Sequence, residues 1–374
     1  MYKFFYSLVI ITFIFTNITF KATAIENSTD LDNDTIVVGN LKPKSMLVTA
    51  QNGQILYEFN KGKRVDPAST TKLLTLSLIY EKIYNGDINL NHKVKIIREY
   101  EKLSKIPNLS NFPLEEGETY TIEQLIKQSA LESSNASSII LSEYFAQDSL
   151  KFTRDMNKKA AILGMNNSFF TNPTGADNEM LYPYFPKKYK GKSKSITTAY
   201  DMAILTHYII KKQSKILNVT KLPEDKQNNK ILHNTNSSLM GEQYGFCGVD
   251  GLKTGTSENG YNLILTCKRN NLRINTFLFN IGQYPSDEAK RARHLISNKL
   301  LENTYKHYEY KKIMSKGRNK INGSYYIVES DLYDLVPKNM KKINYNISNR
   351  NELSVSYPRV FLKGCKPNNV KVHK

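Results

Sequence analysis

Ser69 and Lys72 stand three residues apart and could together form a covalent catalytic centre. A serine hydroxyl is a weak nucleophile at neutral pH and needs a base beside it. Residues i and i+3 share one face of a helix, so the Lys72 amine can reach the Ser69 oxygen. The lysine lies in a strongly apolar segment, and burial lowers the pKa of an amine because the ammonium ion loses its hydration. We therefore predict that Lys72 is uncharged and accepts the proton of Ser69.

Alone, this Ser-x-x-Lys pair is weak evidence, because the chain contains 53 Lys and Arg residues. A helix-capping serine followed by a surface lysine would give the same pattern. Two observations favour a catalytic role for the pair. It occurs once in the chain, and Lys72 lies where a surface lysine would be least well solvated. The start of a helix also leaves backbone N–H groups unpaired around Ser69, where they could stabilise an oxyanion.

A second candidate is the Ser-x-Asn of Ser133 and Asn135, at a predicted break between two helices. The hydroxyl could relay a proton to a leaving group, and the amide could both donate to and accept from a substrate peptide bond. A polar turn is the alternative, because residues 257–259 carry the same pattern.

A third candidate is Lys253-Thr254-Gly255, followed by Thr256. On a strand beside the nucleophile, Lys253 and Thr254 could hold a substrate carboxylate, and Gly255 would let the substrate approach the backbone. A turn that arose by chance is the alternative. The three patterns occur in one order, 64 and then 120 residues apart, which makes a joint coincidence improbable.

The surrounding pattern predicts the elements that must position these residues. Helices are expected over 69–84, ended by Asn85-Gly86, and from Thr121, whose Gln124 gives a capping-box spacing, to 145 with a break at 133–135. A further helix should begin at Pro285-Ser286. Strands are expected in a hairpin around Asn52-Gly53, over 251–256, 261–267 and 272–281, and at a hairpin around Asn322-Gly323.

These elements predict a mixed α/β fold of the α+β kind, with an antiparallel sheet assembled from both ends of the first domain and covered by helices. We expect a signal peptide over 1–24, a flexible leader over 25–44, a catalytic domain over 45–310 and a small β-rich domain over 311–374. The alternative to the signal peptide is an uncleaved membrane anchor. An exported protein would act in the cell wall or on the outer face of the cytoplasmic membrane.

Composition limits the partners. The formal charge is +19, or +17 without Lys3 and Lys21 of the signal peptide, which favours an anionic partner such as a wall polymer or a lipid head group. No nucleic-acid-binding motif is present, so we expect no nucleic acid partner. The three cysteines form no C-x-x-C pair, and we expect neither a metal site nor a disulfide framework, although one bridge could form.

With these residues in place, the chain resembles the low-molecular-mass penicillin-binding proteins of the D-alanyl-D-alanine carboxypeptidase family, whose three motifs occur in this order. The resemblance is strongest to the penicillin-binding protein 4 type of Gram-positive cocci and covers roughly residues 35–374. It extends beyond the catalytic motifs to residues 172–175, 197–199 with Asp201, 260–262, 315–317 and 331–334.

The resemblance implies a β-lactamase-like domain that removes the terminal D-alanine from peptidoglycan stem peptides ending in D-Ala-D-Ala and that binds β-lactam antibiotics covalently, with no cofactor. It implies the following roles: Ser69 is the acylated nucleophile, Lys72 its base, Ser133 a proton relay, Asn135 a substrate-orienting amide, Lys253 and Thr254 the carboxylate-binding residues, and the N–H groups of Ser69 and Thr256 the oxyanion hole.

Three positions depart from relatives. Tyr200 stands where many have arginine, and Thr256 stands where some have histidine. Relatives usually carry a C-terminal anchor, and from residues 372–374 we expect none here.

Other functions stay open. A transpeptidase would use the same residues with an amine in place of water. A β-lactamase would need a Glu-x-x-x-Asn pattern, and the candidate at Glu224 to Asn228 begins 91 residues after Ser133, later than expected. A non-catalytic wall-binding protein could keep the fold. A Ser-His-Asp hydrolase is disfavoured because the chain contains no Gly-x-Ser-x-Gly.

Overall fold

The structure is a computed structural model that describes residues 37–87, 89–186 and 194–374. The predicted signal peptide and most of the predicted leader lie outside these residues. The helices are α1 (Lys72–Tyr84), α2 (Arg98–Ser104), α3 (Ile122–Ala130), α4 (Asn135–Ala146), α5 (Ser149–Leu163), α6 (Ala199–Lys212), α7 (Leu217–Thr220) and α8 (Asp287–His307).

The strands run through both parts of the chain. They are β1 (Ser45–Ala50), β2 (Gln54–Phe59), β3 (Lys93–Lys95), β4 (Thr119–Thr121), β5 (Glu224–Gln227), β6 (Lys230–His233), β7 (Val249–Ser257), β8 (Gly260–Arg269), β9 (Leu272–Ile281), β10 (Tyr308–Met314), β11 (Gly317–Ile321), β12 (Ser324–Val328), β13 (Leu332–Pro337), β14 (Asn344–Ile347), β15 (Glu352–Ser356), β16 (Val360–Phe361) and β17 (Val370–His373).

A central antiparallel sheet has the strand order β16-β2-β1-β9-β8-β7. β1 pairs with β9, Ser45 opposite Phe279, so the N-terminal hairpin closes onto strands from residues 249–281. This pairing confirms the sheet assembled from both ends of the domain. Helices α1, α3, α4, α5 and α6 cover one face over a large apolar core, and α8 covers the other. Because both faces are covered, β8 and β9 are buried almost throughout instead of alternating between buried and exposed residues.

The helix boundaries follow the capping chemistry. The Thr121 side chain accepts from the Gln124 N–H while the Gln124 side chain accepts from the Thr121 N–H, which confirms the predicted capping box. Ser286 caps α8 through the Ala289 N–H. At the end of α1, Gly86 takes a φ of 79°, and its N–H donates to the Ile83 carbonyl.

The two predicted hairpins differ in their turns. Asn322 and Gly323 both have positive φ, 49° and 90°, and connect β11 to β12 by the expected two-residue turn. The hairpin around Asn52-Gly53 forms, but without the two-residue turn that Asn-Gly favours, in which both residues have positive φ. Only Gly53 has positive φ, and the Gly53 N–H donates to the Ala50 carbonyl, which leaves Gln51 to Gly53 outside the strands. The Asn52 side chain accepts from the Gln54 N–H and stabilises this longer turn.

The C-terminal part forms a sheet of order β11-β12-β17-β15-β14 and a two-stranded ladder of β10 with β13. This C-terminal part also contacts the first domain. β16 pairs with β2 at the edge of the central sheet, and Leu362 is buried in the main core. The Tyr200 hydroxyl accepts from the Lys363 N–H, 2.9 Å away, so the residue that replaces arginine in relatives helps to hold this segment, residues 360–365, which we call the strap.

Candidate active site

Ser69 lies in a short 3₁₀ turn, Ala68–Thr71, that leads directly into α1. Ala68 has a φ of 45°, which is strained for a residue with a side chain, and its N–H donates to Asp66 Oδ1 at 2.8 Å. The Asn262 amide on β8 donates to the Asp66 carbonyl at 2.9 Å. The turn that carries Ser69 is thus fixed to the central sheet immediately before the nucleophile.

The Lys72 amine is fully buried and contacts three oxygen atoms. Its Nζ lies 3.0 Å from Ser69 Oγ, 2.8 Å from Asn135 Oδ1 and 2.9 Å from the Thr174 carbonyl oxygen. Burial, and then the charge of Lys253, hold the pKa of Lys72 well below its ordinary value. No carboxylate is among its partners in the described part of the chain.

This set of partners fits a neutral amine. A neutral amine has two N–H donors and one lone pair, and an amide oxygen and a backbone carbonyl can only accept. In the neutral form that the lowered pKa favours, the two N–H groups donate to Asn135 and Thr174 and the lone pair accepts from the Ser69 hydroxyl. The geometry is that of a base poised to take the Ser69 proton.

The Ser-x-Asn pattern lies where α3 ends and α4 begins. Asn135 also donates from Nδ2 to the Ser110 carbonyl, 2.9 Å away, so its amide is fixed at both ends. Ser133 has a φ of 66°, is buried, and its Oγ has no hydrogen-bond partner among the described residues. A buried hydroxyl without a partner is unfavourable unless a bound molecule or water satisfies it.

The loop of residues 172–175 was noted in the sequence, but no role was assigned to it. It supplies the Thr174 carbonyl to Lys72. A Cβ at Gly175 would come within 1.9 Å of the Ala68 carbonyl oxygen, and Gly175 has a φ of 81°, so only glycine lets the loop pack under the Ser69 turn.

Lys253 to Thr256 lie on β7, an edge strand of the central sheet that packs against the Ser69 turn. Lys253 is 1% exposed, and its Nζ has no hydrogen-bond partner among the described residues. Burial, and then the charge of Arg293, lower the pKa of Lys253 to about 7. The Thr254 hydroxyl lies 2.6 Å from the Thr235 hydroxyl. A Cβ at Gly255 would come within 3.0 Å of the Pro67 carbonyl.

Arg293 on α8 is a second residue that the sequence did not reveal. Its guanidinium is buried and donates to the Gly255 carbonyl at 3.2 Å and the Asn262 carbonyl at 3.4 Å. Burial lowers its pKa to about 10. In the described part of the chain, no carboxylate pairs with Lys253 or Arg293, so the positive charge of these two groups favours an anionic ligand. No local pattern distinguishes Arg293 from the other basic residues of α8.

A groove of about 680 Å³ opens at the surface over Ser69 and Ser133, whereas the predicted residues Lys72, Asn135 and Lys253 are buried and do not line it. Its walls include Ser69, Ser110, Ser133, Thr254, Gly255, Thr256, Tyr284 and Arg293. A second cavity, of about 760 Å³, lies near His207 and Cys365 and includes none of the predicted site residues. Glu224 and Asn228, the β-lactamase pattern, lie at the β5–β6 hairpin and do not line the groove.

The comparisons with known proteins show the family of the chain. A family model described as D-alanyl-D-alanine carboxypeptidase matches residues 39–282, and a domain of unknown function matches residues 310–373. D-alanyl-D-alanine carboxypeptidase DacF of Bacillus subtilis is 30% identical over 274 residues, 71% of this chain and 62% of DacF. DacA of Haemophilus influenzae is 27% identical and is covered over 64% of its length. The chain therefore spans less than two thirds of these curated relatives.

Solved structures extend the similarity to most of the chain. A peptidoglycan synthesis regulatory factor, PBP3, of Streptococcus pneumoniae superposes with a TM-score of 0.77 at 25% identity, covering 89% of this chain and 98% of that one. Penicillin-binding protein D2 of Listeria monocytogenes in its ampicillin-bound form has a TM-score of 0.58 at 25% identity, covering 70% and 97%.

Proposed function

The chain belongs to the D-alanyl-D-alanine carboxypeptidase family, and from this premise we propose that it removes the terminal D-alanine of peptidoglycan stem peptides through an ester on Ser69. The observation that carries the proposal is the buried Lys72 amine, 3.0 Å from Ser69 Oγ, with two acceptor-only partners and a lowered pKa.

The first half of the reaction forms the ester. Lys72 takes the hydroxyl proton as Ser69 Oγ attacks the carbonyl carbon of the penultimate D-alanine. The N–H groups of Ser69 and Thr256 stabilise the oxyanion, and the C–N bond then breaks. The departing D-alanine amine receives the proton through Ser133, whose hydroxyl has no other partner among the described residues.

The second half restores the enzyme. A water molecule gives a proton to Lys72 as it attacks the ester carbonyl, and the C–O bond to Ser69 breaks as Oγ regains that proton. A β-lactam ring would open by the same attack and leave a covalent ester on Ser69. With an amine in place of water, the same steps would form a new peptide bond, which is the transpeptidase alternative.

We propose that the protein recognises its substrate mainly through the negative charge of the terminal carboxylate. The terminal carboxylate would pair with Lys253, whose Nζ has no hydrogen-bond partner among the described residues, and would accept from the Thr254 hydroxyl. Asn135 would orient the scissile peptide, and Gly255 would let it lie against the edge strand β7. Arg293 adds positive charge behind this strand.

We also propose an extracytoplasmic location, in the wall or at the outer face of the cytoplasmic membrane. The predicted signal peptide and the family support it. No helix in the described ranges is long and apolar enough to cross a membrane. The net charge, +17 without Lys3 and Lys21 of the predicted signal peptide, supports attraction to anionic wall polymers or lipid head groups.

The test uses purified protein with a fluorescent penicillin and a stem peptide ending in D-Ala-D-Ala. We expect covalent labelling at Ser69, release of free D-alanine, and loss of both in Ser69→Ala. Ser133→Ala should lower both rates, whereas Ser257→Ala, in the other Ser-x-Asn pattern, should leave them near wild type. Addition of an amino-acid acceptor separates hydrolysis from transfer by the products formed. A folded protein that never labels would refute the proposal.

A further inference from the structure

The outward face of the C-terminal sheet combines exposed apolar and basic side chains. On β11 and β12, Arg318 is opposite Ile327 and Lys320 is opposite Tyr325, and His373 of β17 is opposite Ile327. Directly opposed residues in an antiparallel pair share one face. Side chains alternate between the two faces along each strand, so Lys371 lies on the same face as His373. We call this face the basic β-face; it consists of Arg318, Lys320, Tyr325, Ile327, Lys371 and His373.

The orientation of this face is fixed by the other side of the sheet. Ile321, Val328 and Val372 are each at most 2% exposed and belong to the small C-terminal core. The alternate residues must therefore point to solvent. Tyr325 is 56% exposed and Ile327 is 38% exposed, although a solvated sheet face normally carries polar side chains.

The charge around these two residues is strongly positive. Residues 308–374 contain 14 Lys and Arg but 5 Asp and Glu, a net charge of +9. Arg318 and Lys320 have no ion-pair partner in the described part of the chain, and the Arg318 guanidinium lies 4.4 Å from the centre of the Tyr325 ring.

The acidic groups near the patch lie at one side of it. Glu352 is 3.9 Å from Lys371 and also pairs with Lys366, and Glu329 is 3.6 Å from His373. The half of the face formed by β11 and β12 therefore carries uncompensated cations beside an exposed tyrosine and an exposed isoleucine.

We propose that the basic β-face docks on an anionic lipid bilayer. Tyrosine sits favourably at the level of the head groups, an exposed aliphatic side chain gains by entering the acyl boundary, and lysine and arginine pair with lipid phosphates. A hydrated polyanion would pair with the cations but would gain nothing from Ile327. The combination of side chains thus favours a lipid surface over a soluble polymer, and this inference does not depend on the chemistry at Ser69.

The expected strength follows from the number of cations. Each Lys or Arg near an anionic membrane surface strengthens binding by about five-fold. Reversal of the charges of Arg318 and Lys320 should therefore weaken vesicle binding at least about 25-fold, and the effect should shrink as salt is added.

A matched control is available on α5. Arg154 and Lys158 are exposed, have no ion-pair partner in the described ranges, and lie on one helix face with Ile162, which is 70% exposed. The variants R318E/K320E and R154E/K158E change the net charge by the same amount. They differ only in the surface that is changed.

The experiment is co-sedimentation of the full chain without its signal peptide, with vesicles of phosphatidylglycerol and phosphatidylcholine or of phosphatidylcholine alone. We expect binding only to the anionic vesicles, the 25-fold loss in R318E/K320E, and near-wild-type binding in R154E/K158E. Y325S/I327S should bind more weakly with an unchanged dependence on salt. Far-UV circular dichroism establishes that each variant is folded.

Two outcomes would overturn the proposal. Equal loss in both charge-reversal pairs would show that net charge alone attracts the protein. Binding of lipid-free poly(glycerol phosphate), with dependence on Arg318 and Lys320 but not on Tyr325 and Ile327, would assign the face to a wall polymer.

Discussion

Replacement of Lys72 by methionine tests the central assignment most directly. Methionine keeps an unbranched apolar chain of similar length and removes the amine that lies 3.0 Å from Ser69 Oγ. If the neutral amine is the base, the acylation rate should fall by about 10²–10⁴-fold, the range typical of a positioned general base. That loss corresponds to about 3–5 kcal/mol of transition-state stabilisation.

Stability should change less than the rate. The substitution leaves Asn135 Oδ1 and the Thr174 carbonyl without the Lys72 donor, and a buried acceptor that loses its partner costs about 1–3 kcal/mol. Removal of a fully buried amine offsets part of this cost. We therefore expect a folded protein whose melting temperature is lowered by a few degrees.

The assay is stopped-flow acylation by a fluorescent penicillin as a function of pH. In the wild type, the rate should rise with pH as Lys72 loses its proton, and because its pKa is well below the ordinary value this rise should be complete far below pH 10.5. Lys72→Met should lose this limb. Lys72→Arg is the matched control, because a guanidinium keeps the charge but does not deprotonate.

The outcomes separate the two possible roles of Lys72. If the amine acts as a base, both variants should be slow. If Lys72 served only as a positive charge, Lys72→Arg would retain most of the rate. A folded Lys72→Met that acylates within ten-fold of wild type, with an unchanged pH profile, would refute the reasoning.

Further predictions concern the parts of the site that hold the substrate and the nucleophile. Because the pKa of Lys253 is about 7, its cationic fraction falls as pH rises through that value, and the KM for a stem peptide should rise above about pH 7 in wild type but be high and nearly pH-independent in Lys253→Met. Gly175→Ala should both lower the melting temperature and slow penicillin labelling, because its Cβ would meet the Ala68 carbonyl at 1.9 Å; equal values to wild type would contradict this packing. Leu362→Ala should destabilise the catalytic domain by about 2–5 kcal/mol in denaturant unfolding monitored through penicillin labelling, although Leu362 lies in sequence between two strands of the C-terminal sheet, β15 and β17. An unchanged midpoint would show that the strap adds nothing to that domain.

Local patterns predicted most of the elements that surround the site. β9 forms over the predicted residues 272–281, and the caps at Thr121 and Ser286 mark the starts of α3 and α8, because their side chains satisfy N–H groups within three residues. A capping interaction that involves only neighbouring residues can be predicted from those residues alone. The Asn52-Gly53 turn shows the limit, because the bulge after Val48 changes the length of the connection, and that bulge depends on pairing with β2.

The sequence did not reveal those features of the site and fold that depend on contacts between distant segments. The Thr174 carbonyl lies 102 residues from Lys72 and has no side-chain signature, because any residue provides a carbonyl oxygen. Arg293 is one of several basic residues on α8, and only the packing of α8 against β7 and β8 places it behind Gly255. The strap was assigned to the small domain because its return to β2 depends on a non-local pairing.

The two buried lysines also connect substrate recognition to the activation of Ser69. In the free site, burial and then the charge of Lys253 lower the pKa of Lys72, so both favour the neutral amine. A bound carboxylate would offset the charge of Lys253 and reduce this repulsion, and the proton affinity of Lys72 would then rise. The amine would be a stronger base when the substrate is in place, and without the substrate it would stay deprotonated and available. The absence of a carboxylate partner for Lys72, Lys253 and Arg293 among the described residues is what makes this coupling work, because a permanent counter-ion in the site would cancel the effect before the substrate arrived.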